Sequence, residues 1–122
     1  MELEVLPGAF SVCKAADPAA IDLTREFCFV GKTDEELSLL CPTEDAPAAA
    51  VAREDGWRGL RIRGTLDFSL VGVLSRLSAL LADEGISIFA ISTYNTDYIF
   101  VKEAQLDAAL TALRQAGYPI AP

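Results

Sequence analysis

The 122-residue sequence contains no histidine. Histidine is the most common general base near neutral pH and the usual partner of a catalytic nucleophile, so both roles lack their normal residue. The motifs GxGxxG, GxSxG and HExxH are absent as well, and Gly31-Lys32-Thr33 does not end a P-loop because Glu26 stands where that motif needs glycine. Two loop carboxylates, Asp67 and Asp97, remain as candidates for proton transfer, but their spacing in the sequence gives no reason to expect that they act together. We therefore predict that the protein is not an enzyme.

Basic residues are scarce too, since 10 Lys and Arg stand against 18 Asp and Glu and the net charge is −8. Binding to nucleic acid or to an anionic membrane needs a basic surface, so both classes of partner are excluded. The acidic start Met1–Glu4 is unlike the basic start of a secretory signal. Arg76 interrupts the longest apolar helical stretch, so no membrane span is expected. We predict a cytoplasmic protein.

The cysteines are few and widely spaced: Cys13, Cys28 and Cys41, with no CxxC pair. Without histidine, a zinc site would need three isolated thiolates, which is not a usual ligand set. The pattern favours small buried hydrophobic residues in a reducing compartment. We expect no metal and no cofactor.

Apolar periodicity is strongest between residues 57 and 118. Leu60–Arg63 alternates like a strand, and a helical stripe follows at Leu70, Val73, Leu74, Leu77, Leu80 and Leu81, ending at Gly85. Two strands are predicted next, Ile86–Tyr94 and Tyr98–Lys102, and then a helix with Leu106, Leu110 and Leu113 that ends at Gly117 and leads into Tyr118–Ile120. This order is βαββαβ, the ferredoxin-like unit of the α+β class.

The first half of the sequence is rich in predicted strands and poor in helices. Strands are expected at Leu3–Leu6, Phe10–Lys14, Phe27–Val30, Leu37–Cys41 and, against the mixed propensity of alanine, Ala48–Ala52. Arg53–Gly56 is interpreted as a turn, giving either another hairpin or one long bent strand. We predict two domains, residues 1–55 and 56–122, the first being a diverged copy of the second. Residues 88–91 are apolar on both faces, so the first half or another subunit should cover them.

Two segments carry the candidate site. Gly64–Ser69 leads from a strand into a helix, whose first N–H groups favour an anion, and Gly72 in the first turn would allow a ligand to approach closely. A simpler interpretation is that Asp67 or Ser69 only caps the helix. The second segment, Ile91–Asp97, ends an apolar strand in hydroxyl, amide and carboxylate groups. These groups suit the ammonium of a zwitterion, although turn formation alone also explains them.

Residues Gly59–Leu74, Gly85–Ile88 and Ile91–Val101 resemble the ACT domain, and in particular the branch found in aspartokinase regulatory regions and small tandem-ACT arginine sensors. The resemblance implies a regulatory module that binds an amino acid or a related small metabolite where paired domains meet, as a homodimer or through a partner. The ligand-binding residues that it implies are Asp67, Phe68, Ser69, Leu70, Val71, Gly72, Ile91, Ser92, Thr93, Asn95, Thr96 and Asp97. A ligand-free protein-interaction domain is the alternative.

Overall fold

A computed structural model describes residues 1–64 and 71–122. The chain forms two compact units, which we call the larger unit (Met1–Pro7 with Arg58–Pro122) and the smaller unit (Gly8–Trp57). The strands are β1 Leu3–Val5, β2 Phe10–Ala15, β3 Phe29–Lys32, β4 Leu37–Pro42, β5 Ala52–Ile62, β6 Ile88–Ser92 and β7 Asp97–Lys102, and the helices are α1 Val73–Asp83 and α2 Leu106–Gln115. This mixture confirms the predicted α+β class, whereas the division at residue 55 stays a prediction.

In the larger unit, β1, the end of β5, β7 and β6 lie side by side. β1 pairs antiparallel with β5, Leu3 opposite Ile62, and β6 pairs antiparallel with β7. The last strand of the predicted βαββαβ order is reduced to one parallel bridge between Leu3 and Ile120. Leucine and isoleucine side chains from the strands and both helices form the core of this unit, including the fully buried Leu77 and Leu113.

Helix α1 begins later than the sequence pattern suggested. Its first residue is Val73, and Gly72 precedes it with φ +79° instead of lying inside the first turn. The predicted opening at residues 65–70 lies outside the described residues. Gly85 and Gly117 follow the two helices with φ +72° and +93°, and the backbone N–H groups of the next residues bond back into the helices. Both predicted helix ends are therefore confirmed.

The smaller unit contains β3, β4, β2 and the first residues of β5, in that order. Its apolar cluster contains the buried Cys13, Leu39 and Cys41, against which the half-buried Cys28 packs. Asp17 accepts a hydrogen bond from Ala19 N at 2.9 Å and so caps a single 3-10 turn.

Strand β5 corrects the prediction for residues 48–56. Residues 48–51 are not part of a strand and Arg53–Gly56 is not a turn, because β5 runs without interruption from Ala52 to Ile62. Of the two predicted alternatives, the hairpin is wrong and the long bent strand is correct from Ala52 onwards. The register against β2 shifts between Phe10 and Val12, and Gly56 takes φ +86° there. Glycine tolerates this conformation, so a β-bulge replaces the expected turn.

The two hairpins repeat each other at a separation of sixty positions. Phe29 pairs with Leu40, and Phe89 pairs with Phe100. A 3-10 turn follows each returning strand, at Thr43–Asp45 and at Glu103–Gln105. The smaller unit thus repeats the hairpin of the larger one without its helices, as expected of a diverged copy.

Candidate functional site

The end of the β6–β7 hairpin is held together by its own polar groups. Ser92 and Asp97 are the last cross-strand pair, and Ser92 Oγ donates to Asp97 Oδ1 at 2.6 Å. Within the turn, Thr93 donates to the carbonyl of Thr96 twice, from its N–H at 2.9 Å and from Oγ1 at 3.1 Å. The bond from Ser92 orients the Asp97 carboxylate, whose oxygens can each accept more than one hydrogen bond.

Thr96 connects this hairpin to the end of β5. Its Oγ1 donates to the carbonyl of Ile62 at 2.8 Å, and the residue is only 6% exposed. Ile62 is the last residue of β5, two positions before the glycine at which the connection to α1 begins. The polar hairpin end therefore lies beside the strand end from which the chain proceeds to the head of α1.

The head of α1 is positively polarised. Gly72 is its N-cap and provides no side-chain cap, so the first helical N–H groups lack a partner within the helix. A Cβ atom added to Gly72 would lie 3.2 Å from Arg76 Nη1, which places that guanidinium against the helix start. The dipole of the helix and the charge of Arg76 both favour an anion at this position.

The predicted site residues fall into three groups. Asp67, Phe68, Ser69 and Leu70 lie outside the described residues. Val71 is 84% exposed beside Gly72 at the head of α1. Ile91, Ser92, Thr93, Asn95, Thr96 and Asp97 lie together at the hairpin end, where Ser92 and Asn95 are exposed and Thr96 is buried.

Sequence reasoning missed Arg76 and the Ile62 carbonyl. In the sequence Arg76 stands out only as the charge that interrupts an apolar stretch, yet it lies four residues after Gly72, a spacing that puts two positions on the same side of a helix. The position of a backbone carbonyl leaves no trace in residue type, so the bond from Thr96 to Ile62 had no signal in the sequence.

A buried hydroxyl organises the bulge of the smaller unit. Ser11 is fully buried; its Oγ donates to Asp55 Oδ1 at 2.5 Å and shares a hydrogen bond of 2.9 Å with Thr43 Oγ1. Arg53 Nε donates to the same Asp55 oxygen at 2.7 Å. The Ser11 hydroxyl, and then Arg53, hold the pKa of Asp55 below its usual range.

The environment of the cysteines in the smaller unit favours the protonated thiol. Burial raises the pKa of Cys13 and Cys28, and burial together with its neighbours Cys13 and Cys28 raises the pKa of Cys41 to about 12. Thiols rather than thiolates are therefore present at neutral pH. Across residues 1–64 and 71–122, no group of three or more His, Cys, Asp or Glu residues has a geometry that would hold a metal ion.

Among the described residues, 1–64 and 71–122, no helix has the length and hydrophobicity needed to cross a membrane.

A family model described as the ACT domain matches residues 52–115, which is more than half of the chain. No curated protein sequence matches significantly.

Several solved structures share the fold. A protein from Agobacterium tumefaciens is 27% identical over 98% of this chain and 91% of its own, with a TM-score of 0.86. A protein of unknown function from Vibrio cholerae is 26% identical over 93% of this chain and 88% of its own, with a TM-score of 0.74. The ligand-free regulatory subunit of aspartate kinase from Thermus thermophilus is 13% identical over 96% of this chain and 97% of its own, with a TM-score of 0.64.

Proposed function

The chain belongs to the ACT domain family, whose members are generally regulatory modules that bind small molecules, and on that premise we propose that it senses an amino acid or a related small metabolite. The response passes to a regulated partner or through a homodimer, and the chain itself is not catalytic. The free thiols of Cys13, Cys28 and Cys41 suit the reducing cytoplasm that this role implies.

The bond from Thr96 Oγ1 to the Ile62 carbonyl is the observation that carries this proposal. It holds a hairpin that ends in a carboxylate beside the strand that leads to α1, a helix with a positively polarised head whose N-cap residue, Gly72, provides no side-chain cap. An amino acid carries a carboxylate and an ammonium at a fixed separation. Its carboxylate would accept from the first N–H groups of α1 and from Arg76, and its ammonium would donate to Asp97.

The charge of the protein bears on the choice of ligand. The net charge of −8 repels anions at long range, although screening beyond about 8 Å at physiological salt leaves the local groups to decide. We therefore favour an uncharged or basic amino acid over aspartate or glutamate.

Strand β6 supports the homodimer. Ile88, Phe89 and Ile91 are apolar and only half-buried, and Ala90 between them is exposed. Among the described strands, β6 pairs with β7 alone, so its other edge can accept a second copy.

A ligand-free interaction domain is the second candidate. The bonds from Ser92 to Asp97 and from Thr93 to Thr96 use the polar groups of the hairpin without any ligand. On this interpretation the hairpin end is only a stable turn and β6 carries the function.

Thermal melts in the presence of each amino acid separate the two candidates. A ligand at 100 times its dissociation constant stabilises the folded state by about 2.7 kcal/mol. We expect such a shift for the wild type and for the control Asp83→Ala, which changes an exposed carboxylate at the other end of α1, and no shift for Asp97→Ala. Equal shifts for Asp97→Ala and the wild type would contradict the proposed site, and no shift with any amino acid would favour the ligand-free candidate.

A further inference from the structure

Three thiols of the smaller unit lie in one apolar cluster. Cys13 and Cys41 are buried in it, and the half-buried Cys28 packs against it. At the two positions sixty residues after Cys28 and Cys41, the larger unit has aliphatic side chains instead. The described members of the cluster include no residue of the α1 head or of the β6–β7 hairpin, so the site described above does not account for it.

The strand register places two of these thiols opposite each other. Phe29, the first residue of β3, pairs antiparallel with Leu40 of β4. One step back from Phe29 and one step on from Leu40 bring Cys28 to Cys41. Directly opposite residues of an antiparallel pair have their side chains on the same face of the sheet, so the two thiols are neighbours.

The turn of this hairpin determines which kind of pair they form. Thr33 N–H donates to the Glu36 carbonyl at 2.9 Å, so these two residues are a hydrogen-bonded pair. Hydrogen-bonded and non-hydrogen-bonded pairs alternate along the strands, and Cys28 lies an odd number of positions before Thr33. Cys28 and Cys41 are therefore a non-hydrogen-bonded pair, with Cα atoms about 4.5 Å apart. Since a disulfide spans about 4.4–6.8 Å between Cα atoms, a bridge here requires little backbone movement.

Cys13 is less well placed for a bridge. It lies opposite Leu39 in the β2–β4 ladder, whereas Cys41 lies opposite Ser11. Cys13 and Cys41 are therefore diagonal neighbours, which are about 7–8 Å apart. Of the three thiols, Cys28 alone is not fully buried, so it is the one that a small reagent can reach.

Two carboxylates determine which reagent suits Cys28. Burial, and then the charges of Asp22 and Asp45, raise the pKa of this thiol. Arg25 Nε lies 3.5 Å from an oxygen of Asp22 and 3.8 Å from an oxygen of Asp45, so it offsets one of the two charges. The remaining negative charge beside Cys28 attracts a cationic reagent and repels an anionic one.

We propose that Cys28 is a modification site for small cationic disulfides and that Cys41 completes the reaction by forming an internal bridge. Cys28 loses its proton to solvent, and its sulfur attacks one sulfur of the reagent. The S–S bond of the reagent breaks, and the departing thiolate takes up a proton. Cys41 then loses its proton and attacks the Cys28 sulfur, which releases the second small thiol. Two protein thiols are oxidised to one disulfide, and the reagent is reduced to two thiols.

Reaction of the full reduced chain with cystamine, a cationic disulfide, tests the proposal. We expect the loss of two of the three thiols, no retained cysteamine, and a peptide map that links Cys28 to Cys41. The rate should rise about tenfold per pH unit below the pKa of Cys28, because only the thiolate attacks. No loss of thiols, a mixed disulfide that persists in the wild type, or a bridge that includes Cys13 would overturn the proposal.

Cysteine variants test the pairing. Cys41→Ala should stop at the mixed disulfide and retain one cysteamine, and Cys28→Ala should react at least about tenfold more slowly, since its remaining thiols are buried. Cys13→Ala is the matched control, because it removes a buried thiol of the same cluster and should still form the bridge. A bridge in Cys41→Ala, or none in a folded Cys13→Ala, would refute the pairing.

A charge variant tests the choice of reagent. Cystamine should react faster than the anionic glutathione disulfide, and Asp22→Asn should lower the ratio of the two rates while the reagents stay the same. Asp34→Asn, which changes an exposed carboxylate in the turn at the far end of the same hairpin, should leave the ratio unchanged. Equal ratios in Asp22→Asn and the wild type would contradict the preference for a cationic reagent.

Discussion

Replacing Thr96 by valine tests how the hairpin is attached to the end of β5. Valine keeps the shape of threonine but has a methyl group where Oγ1 donates to the Ile62 carbonyl at 2.8 Å. Thr96 is 6% exposed, so water does not readily take over that role. The substitution removes one hydrogen bond and leaves a buried acceptor without its donor.

The size of the effect follows from that geometry. A buried polar group that loses its partner costs about 1–3 kcal/mol, more than the net value of an average hydrogen bond. The slope of the unfolding free energy against urea is about 1–3 kcal/mol per molar for small proteins, so the midpoint of unfolding should fall by roughly 1 M. Binding at the hairpin end should weaken as well, because Asp97 loses part of its support.

Urea unfolding followed by circular dichroism measures this loss. Thr111→Val is the matched control, since its exposed Oγ1 donates to the Asp107 carbonyl at 3.0 Å within α2. We expect the control to change stability by less than about 0.5 kcal/mol. If Thr96→Val and Thr111→Val had the same midpoint as the wild type, the reasoning about the attachment of the hairpin would be refuted.

Three further predictions concern other sites. Gly59→Ala should destabilise the fold by about 1–3 kcal/mol in thermal melts, because the new Cβ would lie 2.7 Å from Phe100 Cε2. Ser11→Ala should raise the pKa of Asp55 towards its usual range in an NMR titration of the carboxyl group, since the Ser11 hydroxyl is the main cause of the lowering. Cys41 should resist alkylation in the native protein. Because the pKa of Cys41 is raised from 9.0 to about 12 in the folded protein, the stability that this thiol contributes should be lost as the pH rises through that interval.

Each of these predictions has a contrary result. A stability of Gly59→Ala equal to that of the wild type would mean that the ring of Phe100 moves at no cost. An unchanged titration of Asp55 would assign the lowered pKa to Arg53 instead. The hydrogen bonds to Asp55 stabilise the folded protein at pH values above the pKa that Asp55 has in the unfolded chain. This stabilisation is lost as the pH falls through the pKa that Asp55 has in the folded protein, so Ser11→Ala should reduce it. Alkylation of Cys41 at the rate of a free thiol would contradict its burial.

The sequence predicted those elements whose signal is local. The stripes of α1 and α2 and the glycines after them follow from helical periodicity and from left-handed helix ends, and both were confirmed. The cap at Asp17 depends on neighbouring residues in the same way, since its side chain accepts from a backbone N–H two residues away.

The turn predicted at the start of β5 was wrong because the pairing that stabilises this strand joins residues distant in the sequence. Four residues typical of a turn, Arg53–Gly56, lie within a strand whose pairing with β2 supplies the stabilisation. The position of Gly72 was misjudged for a related reason, because glycine inside a helix and glycine just before a helix look alike in a sequence.

The repeat of the hairpin is visible in the pairing of the strands but not in the residue types. The two hairpins share almost no residue types beyond Phe29 with Phe89 and Thr33 with Thr93. The shared threonines make the same turn bonds, to the carbonyls of Glu36 and Thr96 respectively. Backbone hydrogen bonding preserves this arrangement while the other side chains diverge, so no search for identical residues would find it.

The central claim is that one amino acid bridges the head of α1 and the end of the hairpin. A crystal structure with the amino acid that gives the largest thermal shift tests it most directly. The account predicts the ligand carboxylate against the first N–H groups of α1 and Arg76, and the ligand ammonium within hydrogen-bonding distance of Asp97. A bound ligand that touches neither the helix head nor Asp97 would contradict it.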